Sequence, residues 1–169
     1  MQNTNWIVPN SESVCEMSNI FNEDFIYFIQ ALNNAEVKYV LIGGYAVIIH
    51  GYQRTTGDMD IFVECTKENY SQIKKAFHLF QMPLFGMTED KFLDSEKYDV
   101  FEYGKPPISI DIITKIKGIT FNDAYATAQM HLIGDHLTVR VIHVNALIQA
   151  KKASGRPKDL DDIEHLEEM

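Results

Sequence analysis

Apolar positions along the chain alternate between helical and extended spacing. Between Ser18 and Glu36 they recur at Ile20, Phe21, Phe25, Phe28, Ile29 and Leu32, one face of an amphipathic helix with Ser18 or Asn22 as its cap. Lys38 to Ile42 reads as a short apolar strand, Gly43-Gly44 as a turn, and Tyr45 to His50 as a short helix stopped by Gly51. Asp58 to Glu64 is extended. Lys67 to Phe80 is helical, with Ile73, Ala76, Phe77 and Phe80 on one face, and Pro83 to Leu93 is a loop. Tyr98–Tyr103 and Ile108–Thr114 are strands on either side of Gly104-Lys105-Pro106-Pro107. A helix over Phe121–Gln129, a strand over Leu137–Ile142 and helices over Asn145–Ser154 and Lys158–Glu168 complete the order, with Gly155-Arg156-Pro157 between the last two. Residues 1–17 read as an irregular arm and 18–169 as one domain. The pattern predicts an α/β (α+β) fold and by itself assigns no function.

Composition narrows the class. A chain of 169 residues that is 46% hydrophobic and 23% charged suits one globular core. The apolar run Val40–Ile49 is too short to span a bilayer, so no membrane association is expected. The opening MQNTNWIVPN lacks the basic-then-apolar pattern of a secretory leader, so none is expected. Cys15 and Cys65 form no CxxC pair, which fits free thiols in a reducing cytoplasm. The net charge of −9 disfavours non-specific nucleic-acid binding. The charge is uneven, however. From Arg140 to Lys158 the only charged side chains are Arg140, Lys151, Lys152, Arg156 and Lys158, all basic, which suggests a confined anion site.

The strongest chemical signal is Asp58-Met59-Asp60-Ile61. On a strand, Asp58 and Asp60 share one face, about 6–7 Å apart along the backbone, while Met59 and Ile61 turn to the core. Neighbouring carboxylates repel unless a cation lies between them, and Mg²⁺ is commonly held by one or two carboxylates plus substrate phosphates. Asp111, in Ile108-Ser109-Ile110-Asp111-Ile112-Ile113, is a third acid in an apolar strand. Were the two strands adjacent, three carboxylates would converge as a phosphoryl-transfer site requires. Gly43-Gly44, followed at once by a helix, allows close approach of a phosphate, and Arg54 could fork onto one.

The combination of hydrophobic–Gly43–Gly44, a thirteen-residue spacer and Asp58–hydrophobic–Asp60–hydrophobic resembles the signature of the nucleotidyltransferase superfamily with the DNA polymerase β-like fold. The tail LIQAKKASGRPKDLDDIEHL is similar to the C-terminal motif of minimal bacterial nucleotidyltransferases, including abortive-infection toxin-like members, through Lys151, Arg156-Pro157-Lys158-Asp159 and Asp162. The resemblance implies a mixed central sheet flanked by helices, with a helical C-terminal end. It implies that Gly43, Gly44, Arg54, Lys151, Lys158 and Asp159 serve a nucleoside triphosphate, ATP among the candidates. Asp58, Asp60 and Asp111 would bind Mg²⁺ or Mn²⁺, and with Lys151 would form the catalytic set. The reaction implied is transfer of a nucleoside monophosphate to a hydroxyl with release of pyrophosphate. The acceptor stays open among tRNA, a protein and a small hydroxylated molecule, and a cognate protein partner is also expected. The alternative is an inactive binding module of this fold acting in a toxin–antitoxin pair.

Other residues read more simply. His50, just before Gly51, serves a helix end. Phe77, Phe80, Phe85, Phe92 and Phe101 read as core. The six histidines show no zinc spacing.

Overall fold

The computed structural model describes residues 6–7, 20–105 and 107–169. Its seven strands are β1 (Trp6–Ile7), β2 (Tyr39–Ile42), β3 (Asp58–Val63), β4 (Val100–Lys105), β5 (Ile108–Ile113), β6 (Gln129–Ile133) and β7 (Leu137–Val141). They form one mixed sheet in the order β1-β6-β7-β2-β3-β5-β4. Pairing is parallel for β1–β6, β7–β2 and β3–β5, and antiparallel for the other three neighbours. The helices are α1 (Glu23–Asn34), α2 (Gly43–Ile49), α3 (Lys67–Leu79), α4 (Glu89–Leu93), α5 (Phe121–Thr127), α6 (Val144–Ser154) and α7 (Pro157–Glu167). This is the expected mixed α/β architecture with a helical end.

Local chemistry sets the boundaries. Asn22 Oδ1 accepts from the Phe25 amide at 2.9 Å and caps α1, so the helix starts after Asn22 rather than at Ser18, a residue outside those described. Thr66 caps α3 in the same way, and Gly155 ends α6 in the left-handed conformation. The core side of α1 buries Phe25, Phe28, Ile29 and Leu32, and Phe28 meets Phe77 of α3 edge to face at 5.6 Å. Met59 and Ile61 are fully buried on the core face of β3, which leaves Asp58 and Asp60 on the other face as the alternation requires.

Several expectations need correction. Gly43 and Gly44 form the first turn of α2 instead of a turn before it. The expected loop at 83–93 contains α4, capped by Thr88 Oγ1. The helix expected to reach Gln129 ends at Thr127, because Ala128 turns extended and Gln129–Ile133 becomes β6. Two residues of the expected irregular arm, Trp6 and Ile7, pair with Met130 and His131 of that strand; the rest of the arm, with Cys15, lies outside the described residues. Phe85 is not in the core: it is 77% exposed, at a positive φ of 49°. His50 does serve the end of α2, as its C-cap, with Nε2 2.7 Å from the Ile142 carbonyl oxygen.

Candidate active site

The parallel pairing of β3 with β5 joins distant stretches of chain. Its register places Asp58 beside Ser109 and Asp60 beside Asp111. On the outer side β4 sets Glu102 against Asp111, and on the inner side β2 sets Ile42 against Asp60. A row of carboxylates therefore crosses three strands, next to the Gly43-Gly44 turn that follows Ile42. Ser109 Oγ donates to Asp58 Oδ1 at 2.9 Å and lies 3.4 Å from Asp111 Oδ1, linking two of the acids.

The glycines fit this row closely. Gly43 has φ +67°, and a Cβ there would collide with the Asp60 carboxylate. A Cβ on Gly44 would stand 2.6 Å from Thr56 Oγ1 and 3.1 Å from Arg54 Nη2. Only glycine admits both the left-handed entry into α2 and the acid pressed against it.

Crowding has an electrostatic cost. The Asp60 carboxyl is pushed up to about 7, first by burial, then by the charges of Asp111 and Asp58; Lys158 and Arg156 act in the opposite sense. Asp111 is also raised, by burial, Glu102 and Asp58, with Ser109 opposing. Carboxylates this close call for a positive counter-charge.

All nine residues singled out from the sequence line one cleft of about 890 Å³, a size suited to a small organic ligand. They do not all stand free in it. Lys151 is buried, and its Nζ donates to Asp162 Oδ2 at 2.6 Å and to Asp159 Oδ1 at 3.2 Å. Asp159 also caps α7: its Oδ2 accepts from the Arg156 backbone amide at 3.2 Å and from Arg156 Nε at 2.9 Å. Burial would raise the Asp159 carboxyl, but the Arg156 and Lys151 contacts outweigh it and hold it down at about 2. Arg54 also reaches Asp162. Its Nη2 donates to Oδ2 at 3.1 Å, and its Nε, too far off line for a hydrogen bond, forms an ion pair with Oδ1 at 2.8 Å. Lys158 remains exposed at the start of α7.

Two participants escaped the sequence reading of the site, Glu102 and Ser109, and a third, Asp162, was read only as part of the C-terminal motif. Ser109-x-Asp111 repeats the spacing of Asp58-x-Asp60, which was the available signal for Ser109. Nothing in the sequence flags Glu102, which gains its place only through the β4–β5 register. Asp162 was visible as a motif acid, but its partners were not.

A family model described as "Nucleotidyltransferase of unknown function (DUF6036)" matches residues 24–167. The chain belongs to this family. It is thus a member of the nucleotidyltransferase superfamily, as the glycine pair and the acids had led us to expect. The matched stretch of this nucleotidyltransferase contains every cleft residue discussed above. No curated protein matches the chain.

Among the described residues, no three Asp, Glu, His or Cys side chains close around one point as a ready cage for a metal. The donor chemistry nonetheless fits Mg²⁺ or Mn²⁺. These ions accept an incomplete protein set when substrate phosphates supply the remaining oxygens, and the mutual repulsion that raises Asp60 marks where a cation is favoured. Asp58, Asp60 and Asp111 are the residues that would hold it.

Proposed function

We propose that the protein transfers the nucleoside monophosphate of an NTP, in a Mg²⁺- or Mn²⁺-dependent reaction, to a hydroxyl acceptor. The observation carrying this reading is the in-register placement of Asp60 and Asp111 on adjacent strands, with Gly43 packed directly against Asp60. Gly43-Gly44 and Arg54 receive the triphosphate, and Lys158 and Arg156 add positive potential across the cleft. Asp58 and Asp60, with Asp111 beside them, would hold the metal, which would offset phosphate charge and make the acceptor hydroxyl more acidic. Asp111 stands at the acceptor hydroxyl and assists its deprotonation, as a metal ligand or by taking the proton. The acceptor oxygen bonds to the α-phosphorus in line as the bond to the bridging oxygen breaks, and pyrophosphate leaves. Lys151 acts from within its ion network, contributing positive field rather than direct contact.

The acceptor class is tRNA, a protein or a small hydroxylated molecule, and one experiment separates them. The full chain is incubated with Mg²⁺ and each α-labelled NTP in the presence of total tRNA, a lysate protein fraction or a panel of hydroxylated antibiotics. Label should enter one class, and the Asp58→Ala/Asp60→Ala variant should transfer none. Equal labelling by that variant, or no nucleotide binding by the wild type, would refute the reading.

A further inference from the structure

We infer that Asp162 is a positioning residue for the triphosphate, acting through Arg54; this rests on the nucleotidyltransferase reading above. Asp162 lies on the second turn of α7 and is 1% exposed. A carboxylate buried to this degree must be fully matched. Its partners come from two separate parts of the chain. Lys151 on α6 binds one oxygen at 2.6 Å. Arg54, in the segment between α2 and β3, engages both oxygens, at 2.8 and 3.1 Å.

The clamped guanidinium also lies against the glycines. Arg54 Nη2, the nitrogen that bonds Asp162, is 3.1 Å from where a Cβ on Gly44 would stand, and Nη1 is steadied by donating to the Thr55 carbonyl at 3.1 Å, so the group held by Asp162 is set beside the glycine turn. The side chain of Arg54 is only 23% exposed, and its remaining freedom is slight. A free arginine on a loop would lose rotamer freedom on meeting a phosphate; one already clamped loses little, which strengthens binding. Lys151 gives Asp162 a second buried cation, so the carboxylate keeps a partner while Arg54 is shared with an incoming anion. Lys151 therefore acts inside the clamp, and Arg54 is the cation it presents.

The test is titration of ATP and of inorganic tripolyphosphate, each with Mg²⁺, into the full chain by calorimetry, together with the steady-state constants for labelled-NTP transfer. Arg54→Met should weaken both ligands about tenfold, the scale of one charge-assisted hydrogen bond. Asp162→Asn should weaken them by a similar factor and raise KM for the NTP while kcat changes less than twofold. The double variant should be no worse than either single one, because both remove the same contact. Asp162→Glu keeps the charge beside Lys151 but displaces the clamp; it is the second probe should the amide fail to fold, and should show the same loss. Wild-type affinity in any folded single variant, or additive losses in the double variant, would overturn the assignment. Absence of binding by the wild type would overturn it together with the nucleotide reading; binding by wild type that the variants leave unchanged would overturn this role alone.

Discussion

Gly43 meets two demands at once. Its φ of +67° is a conformation that costs other residues about 1–2 kcal/mol, and its Cα hydrogens face the Asp60 carboxylate. Gly43→Ala should lower unfolding free energy by at least that amount in urea melts, and should abolish Mg²⁺–NTP stabilisation by displacing Asp60. Gly86→Ala is the control: no atom of the described residues stands within 4 Å of its added Cβ, so a change of no more than about 0.5 kcal/mol is expected. Asp159 and Asp162 show a different limit. Each is buried and ion-paired; Asp159 pairs locally with Arg156 and Lys151, but Asp162 also pairs with Arg54, 108 positions away, which no local pattern links. The sequence shows that these acids follow a basic segment. It cannot show that they neutralise it, which is why Lys151 and Asp159 read as nucleotide contacts before their partners were visible.

At the level of elements, what could be read depended on burial. β3 and β5 stand out because aspartates interrupt otherwise apolar alternation, and the fold places those aspartates side by side. β6 was hidden because Gln129-Met130-His131-Leu132-Ile133 is short and half polar, and the preceding helical pattern runs into it. The overlooked cue was Gly134-Asp135-His136 between two short apolar runs, a hairpin connection with Gly134 at φ +61°. The β4–β5 hairpin has a further tie to the site. Its turn lies over Gly57, where a Cβ would collide with the Pro107 carbonyl oxygen, and the Ser109 amide donates to the Gly57 carbonyl at 3.3 Å. Because the obstacle is backbone, no side chain can rotate away. Gly57→Ala should therefore push the hairpin aside, destabilise the fold by about 1–3 kcal/mol and accelerate amide exchange at Ser109, with loss of transfer as Asp111 shifts from Asp60. Unchanged exchange at Ser109 would show that the hairpin tip is not anchored there.

Across the whole molecule, buried His131 and half-buried Asp60 set opposing pH responses. His131 is 6% exposed, and its pKa is lowered to about 4 from an ordinary 6.5, by burial and then by His50, whose ring lies edge to face at 6.0 Å. Its protonation favours the unfolded chain, so stability is lost as pH falls from about 6.5 to 4, by roughly 3 kcal/mol at most. Asp60 is raised from 3.8 to about 7, so the folded state takes up its proton first, and stability is gained as pH falls through about 7 towards 4, by a similar few kcal/mol. In metal-free buffer the urea midpoint of the wild type should change little over that window, whereas Asp60→Asn should show a clear decline on acidification. A variant profile as flat as the wild type would show that the two groups do not offset each other. The strand order has a further consequence, for the time at which activity arises. Asp60 waits for Asp111, about fifty residues later in the sequence, and Arg54 waits for Asp162. A ribosome elongates at about 5–20 residues per second, so the earlier half of the cleft exists for several seconds without the later half. A growing chain thus lacks the paired acids until residue 111 has been made, and the clamp on Arg54 until residue 162 has been made and folded back, so translation itself delays completion of the cleft.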